Sequence, residues 1–150
     1  MSTRSVIGIK QNDTYITVYC HSDGYPEYNG TILDLYYNQP ELAKELISLG
    51  DLSIIKPKLA ADENVVHNFD VRANGVTVAY HRDRGEKYQK PEKFNSLKEI
   101  IDYYSNCSYL YVFDEQWKYL YCHSKNAKLT PVKLDEEYVS WIQDMYKDKE

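Results

Sequence analysis

The chain is poor in the features that usually announce chemistry. It has three cysteines, Cys20, Cys107 and Cys122, and no two of them form a C-x-x-C pair. A scattered odd set offers neither a disulfide framework nor a zinc knuckle, and reads as free thiols in a reducing compartment. No apolar run approaches the roughly 20 residues that cross a bilayer, and no signal-peptide core follows Met1. Membrane insertion and export are therefore not expected, and the cytoplasm is the expected location. A nucleophile elbow, a Walker loop and an H-E-x-x-H pair are all missing. Arginine is scarce, with copies at Arg4, Arg72, Arg82 and Arg84, and the formal net charge is −5. Domains that grip a nucleic-acid backbone carry the opposite excess, so general DNA or RNA binding is not expected.

What is present fits one domain spanning residues 1–150, with 43% hydrophobic and 27% charged residues. Tyrosine is the outlier, with 16 copies against 3 Phe and 2 Trp. Its large ring with a polar tip suits both a strand-rich core and a hydrogen-bonding surface.

Residues 4–10 and 14–21 predict a hairpin across a three-residue loop, Gln11-Asn12-Asp13. Asp23-Gly24 and Tyr25-Pro26 then break the strand. A short helix follows over residues 31–37, and a second starts near Asn38 with Pro40 in its first turn and Gly50 as terminator. Its apolar positions Leu42, Ala43, Leu46, Ile47 and Leu49 keep the helical period. Residues 51–64 and 87–95 read as surface loops. Between them, residues 65–73 and 76–82 predict a second hairpin around Asn74-Gly75. Ser96-Leu97-Lys98-Glu99 is a capping box opening a helix to about Ser105. A third hairpin joins residues 109–113 to 117–123, and a short strand near Pro131 precedes a helix capped by Asp135. The expected fold is α+β, a mainly antiparallel sheet of three hairpins with about four short-to-medium helices.

Tyr19-Cys20-His21-Ser22 returns unchanged as Tyr121-Cys122-His123-Ser124, and Tyr80-His81-Arg82-Asp83 is a looser echo of Cys20-His21-Ser22-Asp23. Each expected hairpin thus ends in a histidine. Zinc is the first reading of this pattern. Neighbouring strand residues point to opposite faces, however, so four converging ligands are not expected there. The second reading is acid–base or phosphodiester chemistry by His21 and His81, oriented by Asp23 and Asp83, with Arg82 or Arg84 polarising a phosphate. The third is recognition: Asp23, Tyr25, Tyr28 and Asn29 on one loop beside Arg82, Arg84 and Glu86 on another. Tyrosine stacks and arginine pairs with phosphate or carboxylate, so this surface suits a protein or a nucleotide-like ligand. The residues call for no cofactor or metal.

The opening Met1-Ser2-Thr3-Arg4-Ser5-Val6-Ile7-Gly8, together with the stretch from Tyr19 to Gly30, resembles a family of small, mostly uncharacterised proteins of bacteriophages and prophages. Leu49-Gly50-Asp51-Leu52-Ser53 and the stretch from Ala79 to Glu86 continue the resemblance, which spans about the first ninety residues. Ser22 stands where many relatives have tryptophan. The resemblance implies a phage accessory protein in the host bacterial cytoplasm, and by analogy a counter-defence factor. Its partner would be a host defence protein such as a CRISPR effector. A nucleotide immune signal, cradled by Arg72, Arg82 and Arg84, is the alternative. Whether the chain forms a homo-oligomer stays open.

Overall fold

The structure, a computed structural model, describes residues 2–147. Strands β1 (Ser5–Gln11) and β2 (Thr14–Cys20) form the first hairpin. Gln11 pairs directly with Thr14, so the loop is two residues rather than the expected three. Asn12 takes the left-handed conformation (φ 56°), which asparagine tolerates better than most residues. A single π-helical turn (Pro26–Gly30) runs straight into α1 (Thr31–Tyr36), and α2 (Pro40–Ser48) follows. Gln39, not Asn38, holds the N-cap position of α2, without a side-chain bond. Gly50 ends this helix as expected, with φ 78° and its N–H donated to Ile47 O at 3.0 Å.

Next come β3 (Leu52–Ile54), β4 (Val78–Ala79), α3 (Tyr80–Arg84), β5 (Glu92–Phe94) and α4 (Leu97–Tyr103). The third hairpin is β6 (Tyr109–Asp114) with β7 (Gln116–Tyr121), followed by β8 (Thr130–Pro131) and α5 (Glu136–Met145). Both expected caps form: Ser96 Oγ accepts from Glu99 N at 3.2 Å, and Asp135 Oδ1 accepts from Glu137 N at 2.9 Å.

The fold is α+β. Its eight strands make one mixed sheet in the order β4-β3-β2-β1-β6-β7-β8, with β5 also pairing β2, and five α-helices lie among the described residues. Most pairings are antiparallel, but β1 runs parallel to β6 at the centre and β2 parallel to β3. Alternation along the strands divides the core between two faces. On one, Ile7, Val18, Tyr111 and Trp117 pack against Ile32, Leu33, Leu46 and Ile142 from the helices. On the other, Val6, Leu110, Val112 and Leu120 pack against Ile100 of α4. Trp117 is fully buried and donates its indole N–H to Tyr37 O at 2.9 Å, tying β7 to the end of α1.

The expected second hairpin does not form. Asn74-Gly75 does turn, with Gly75 at φ 72°, but the chain beyond it pairs with Lys58: Thr77 N donates to Lys58 O at 2.9 Å and Lys58 N to Gly75 O at 2.8 Å. Residues 65–73 make a loop held by its own side chains, and residues 80–84 are helical. Neither expected surface loop is wholly irregular. Residues 51–64 contain β3, with Leu52 and Ile55 fully buried, and residues 87–95 contain β5.

Candidate interaction surface

The stretch after β2 is fastened to the sheet. Gly24 donates its N–H to Thr3 O at 2.9 Å, and its carbonyl accepts the Tyr111 hydroxyl at 2.6 Å. A Cβ at Gly24 would lie 2.8 Å from Ser5 Cβ, so only glycine fits this approach. The π-helical turn then points two expected contact residues inward. Tyr28 is 2% exposed and donates its hydroxyl to Ile55 O at 2.9 Å. Asn29 is fully buried, its amide 3.1 Å from Ser5 Oγ. Both belong to the core and are corrected from contact residues to packing residues. Asp23 and Tyr25 remain half-buried at the surface.

The histidines do not converge. His21 Nδ1 bonds the Tyr19 hydroxyl at 2.8 Å, whereas His81, on α3, bonds Glu86 O at 2.7 Å and meets the Tyr88 ring edge-on. Among the described residues no hydrogen bond joins Asp23 to His21 or Asp83 to His81. The repeated Tyr-Cys-His-Ser is not equivalent in space either. Cys20, Ser5, Tyr109 and Tyr121 share one row of the sheet, so the second copy is slipped by one residue. A one-residue slip exchanges faces: Cys20 packs in one core half and Cys122 in the other. Burial pushes the Cys20 and Cys122 thiols up to about 11, away from thiolate chemistry. Among the described residues no group of three or more metal-ligating side chains gathers.

Asp83 and Arg82 form a structural clamp. The Asp83 carboxylate is 3% exposed and accepts from Ala79 N at 2.7 Å and from Arg82 at 2.9 and 3.0 Å. Arg82 also donates to Leu59 O and Thr77 O, both at 2.7 Å. Burial alone would raise this carboxyl, but Arg82, the Ala79 N–H and the adjacent His67 together hold it below its ordinary value. His67 is the residue the sequence reading missed. Its side chain is 5% exposed; Nε2 lies 3.4 Å from Asp83, and Nδ1 accepts the Ala73 N–H at 3.0 Å. Because a backbone N–H can only donate, Nδ1 is the unprotonated nitrogen. The signal was a fourth histidine outside the repeats, within a stretch that looked like an ordinary strand.

This clamp adjoins an exposed loop that is held by its own hydrogen bonds. Asn68 Oδ1 accepts from Asp70 N and Val71 N at 2.9 and 2.8 Å, and Phe69 N donates to Asp83 O at 2.8 Å. Val65, Val66 and Val71 stand exposed on the loop, Val66 by 65%. The guanidiniums of Arg72 and Arg84 lie 4.7 and 4.6 Å from the centre of the Phe69 ring. Arg84 meets Glu86 at 3.7 Å across an exposed pair, a weak tie. Lys56 adjoins the patch, its ammonium pushed down by burial and by Arg72, and sits 5.9 Å from the centre of the Tyr146 ring. Burial and nearby Asp23 push the Tyr146 phenol up, and its hydroxyl shares a hydrogen bond with that of Tyr28. Asp23, Tyr25, Arg84 and Glu86 thus stay at the surface, whereas Tyr28 and Asn29 are withdrawn into the core and Arg82 is engaged by Asp83.

No helix among the described residues is long and apolar enough to cross a membrane. Comparison with protein-family models, curated proteins and solved structures found no match for the chain.

Proposed function

We propose that the chain is a non-enzymatic, phage-encoded binding protein that acts in the host bacterial cytoplasm and occludes a host defence component, a CRISPR effector or similar nuclease. The phage-like opening supplies the context. The observation that carries the reading is the hydrogen-bonded loop 65–72, which exposes Val65, Val66 and Val71 together with Arg72, and Arg84 beside its Phe69. Apolar anchors flanked by arginine are the composition of interface hot spots, and a pre-ordered loop reduces the entropy lost on binding. A metal-dependent nuclease gathers carboxylates around its catalytic ions, and two weakly hydrated guanidiniums suit such a face. Hydrolysis by His21 and His81 has little in its favour, since each ring is occupied by a different partner.

A second reading has one observation behind it. The Phe69 ring stacks on Tyr80, and the guanidiniums of Arg72 and Arg84 gathered beside it offer charge to the phosphates of a cyclic nucleotide signal. Incubation with cyclic dinucleotides followed by heat release separates the cases: intact ligand held by the protein means sequestration, and altered ligand means an enzyme. For the leading reading, nuclease inhibition that saturates at a stoichiometric ratio and is lost in Val66→Asp or Arg72→Ala/Arg84→Ala is the expected result. Inhibition unchanged in both variants would reject the loop as the contact.

A further inference from the structure

We infer that a second site, independent of the loop 65–72, takes a bulky apolar residue of an acidic linear peptide. It is a groove of about 520 Å³ floored by Ile9, Ile16 and Ile47 and walled by Tyr88 and Pro91. That volume lies within the range of small-ligand and side-chain pockets. The groove is built in advance. Tyr88 donates its hydroxyl to Ser48 O at 2.8 Å, fixing the wall to the end of α2. Gln89 O approaches Gly50 so closely that a Cβ there would lie 2.8 Å away. An apolar floor alone names no occupant; the charge does. Lys44 and Lys90 are the charged residues lining the groove. Among the described residues neither has a carboxylate within ion-pair distance, although the whole chain carries a net charge of −5. A second groove shares Ile9, Gln11 and Lys44 with this one and runs past Lys10 to Asp114 and Glu115. The Asp114 carboxylate is met by Lys10 at 4.0 Å and Lys118 at 3.6 Å, so the acidic peptide is placed over Lys44 and Lys90 and not at that far end. The long, open shape suits an extended segment: an apolar side chain enters between Ile9, Ile16 and Ile47, and flanking carboxylates meet Lys44 and Lys90.

The test uses fluorescein-labelled peptides in which two residues chosen from Leu, Phe and Trp are flanked by glutamates, read by fluorescence anisotropy. A saturable rise at micromolar to sub-millimolar concentration is expected, with at least ~10-fold weaker binding for Lys44→Glu/Lys90→Glu. Lys44→Gln/Lys90→Gln should lose less than the reversal, and Lys98→Glu on α4 should lose nothing. Three results overturn the inference: no saturable binding up to about 1 mM, equal binding of lysine-flanked or alanine-anchored peptides, or equal loss in Lys98→Glu. Saturable binding of decanoate with no binding of any peptide would assign the groove to a small amphiphile and equally overturn it. Circular dichroism of each variant confirms that these exposed substitutions leave the fold intact.

Discussion

Arg82 and Arg84 stand two positions apart, yet the structure gives them opposite duties, and substituting each in turn separates those duties. Arg82→Ala removes two bonds to the Asp83 carboxylate and two to the carbonyls of Leu59 and Thr77. It also leaves a carboxylate that is 3% exposed without its cation. Stranding one partner of a buried pair costs about 3–5 kcal/mol. Arg82 is itself 29% exposed, so water restores part of its role and the lower end, about 3 kcal/mol, applies. For a chain of this size, that is a fall in Tm of roughly 6–12 °C. Arg84→Ala removes an exposed contact with Glu86 and a cation–π contact with Phe69, together worth within about 1 kcal/mol. Thermal unfolding followed by circular dichroism, with urea titration to check that the slope m is unchanged, reads both variants. A loss below about 0.5 kcal/mol for Arg82→Ala would refute the clamp and return Arg82 to the contact surface.

Asp83 makes the clamp sensitive to acid. A carboxyl held below its unfolded value stabilises the fold above that value and loses the contribution as pH falls through the folded one. The stability gap between wild type and Asp83→Asn is therefore full at neutral pH and closes below about pH 4, measurable by urea titration across pH. Cys20 and Cys107, buried with thiols pushed up to about 11 and 12, should resist iodoacetamide in the native protein, while half-exposed Cys122 labels slowly; mass spectrometry assigns the order. Gly24→Ala forces a methyl to 2.8 Å from Ser5 Cβ and Thr3 O, and should cost ~1–3 kcal/mol by chemical denaturation.

Much of this fold was legible where its signals are local. The β1–β2 and β6–β7 hairpins follow from alternation and turn residues, and the Ser96 and Asp135 caps from one side chain reaching its own helix. The parallel β1–β6 pairing joins residues about a hundred positions apart, as in Ile7 with Tyr111, and such pairing leaves no periodicity in either strand. Asn74-Gly75 correctly marked a turn, but the strand beyond it pairs with Lys58, while the backbone N–H groups of the preceding segment go to the Asn68 and His67 side chains. The candidate site was half legible. Arg72 and Arg84, expected at a contact surface, are exposed beside Phe69. Tyr28 and Asn29 were misplaced because a π-helical turn, which sequence does not advertise, rotates them into the core. Phe69 and the exposed valines stayed hidden inside a stretch with ordinary strand composition.

The central claim is that the loop 65–72 binds and does not catalyse. It is tested most directly by titrating a purified host CRISPR nuclease with wild type, with Val66→Asp/Arg72→Ala/Arg84→Ala, and with His21→Ala/His81→Ala, while following cleavage. The account predicts a stoichiometric end point for wild type and the histidine variant, and full nuclease activity with the loop variant. Inhibition that persists in the loop variant, or that needs far less than one equivalent and disappears with the histidines, would contradict it.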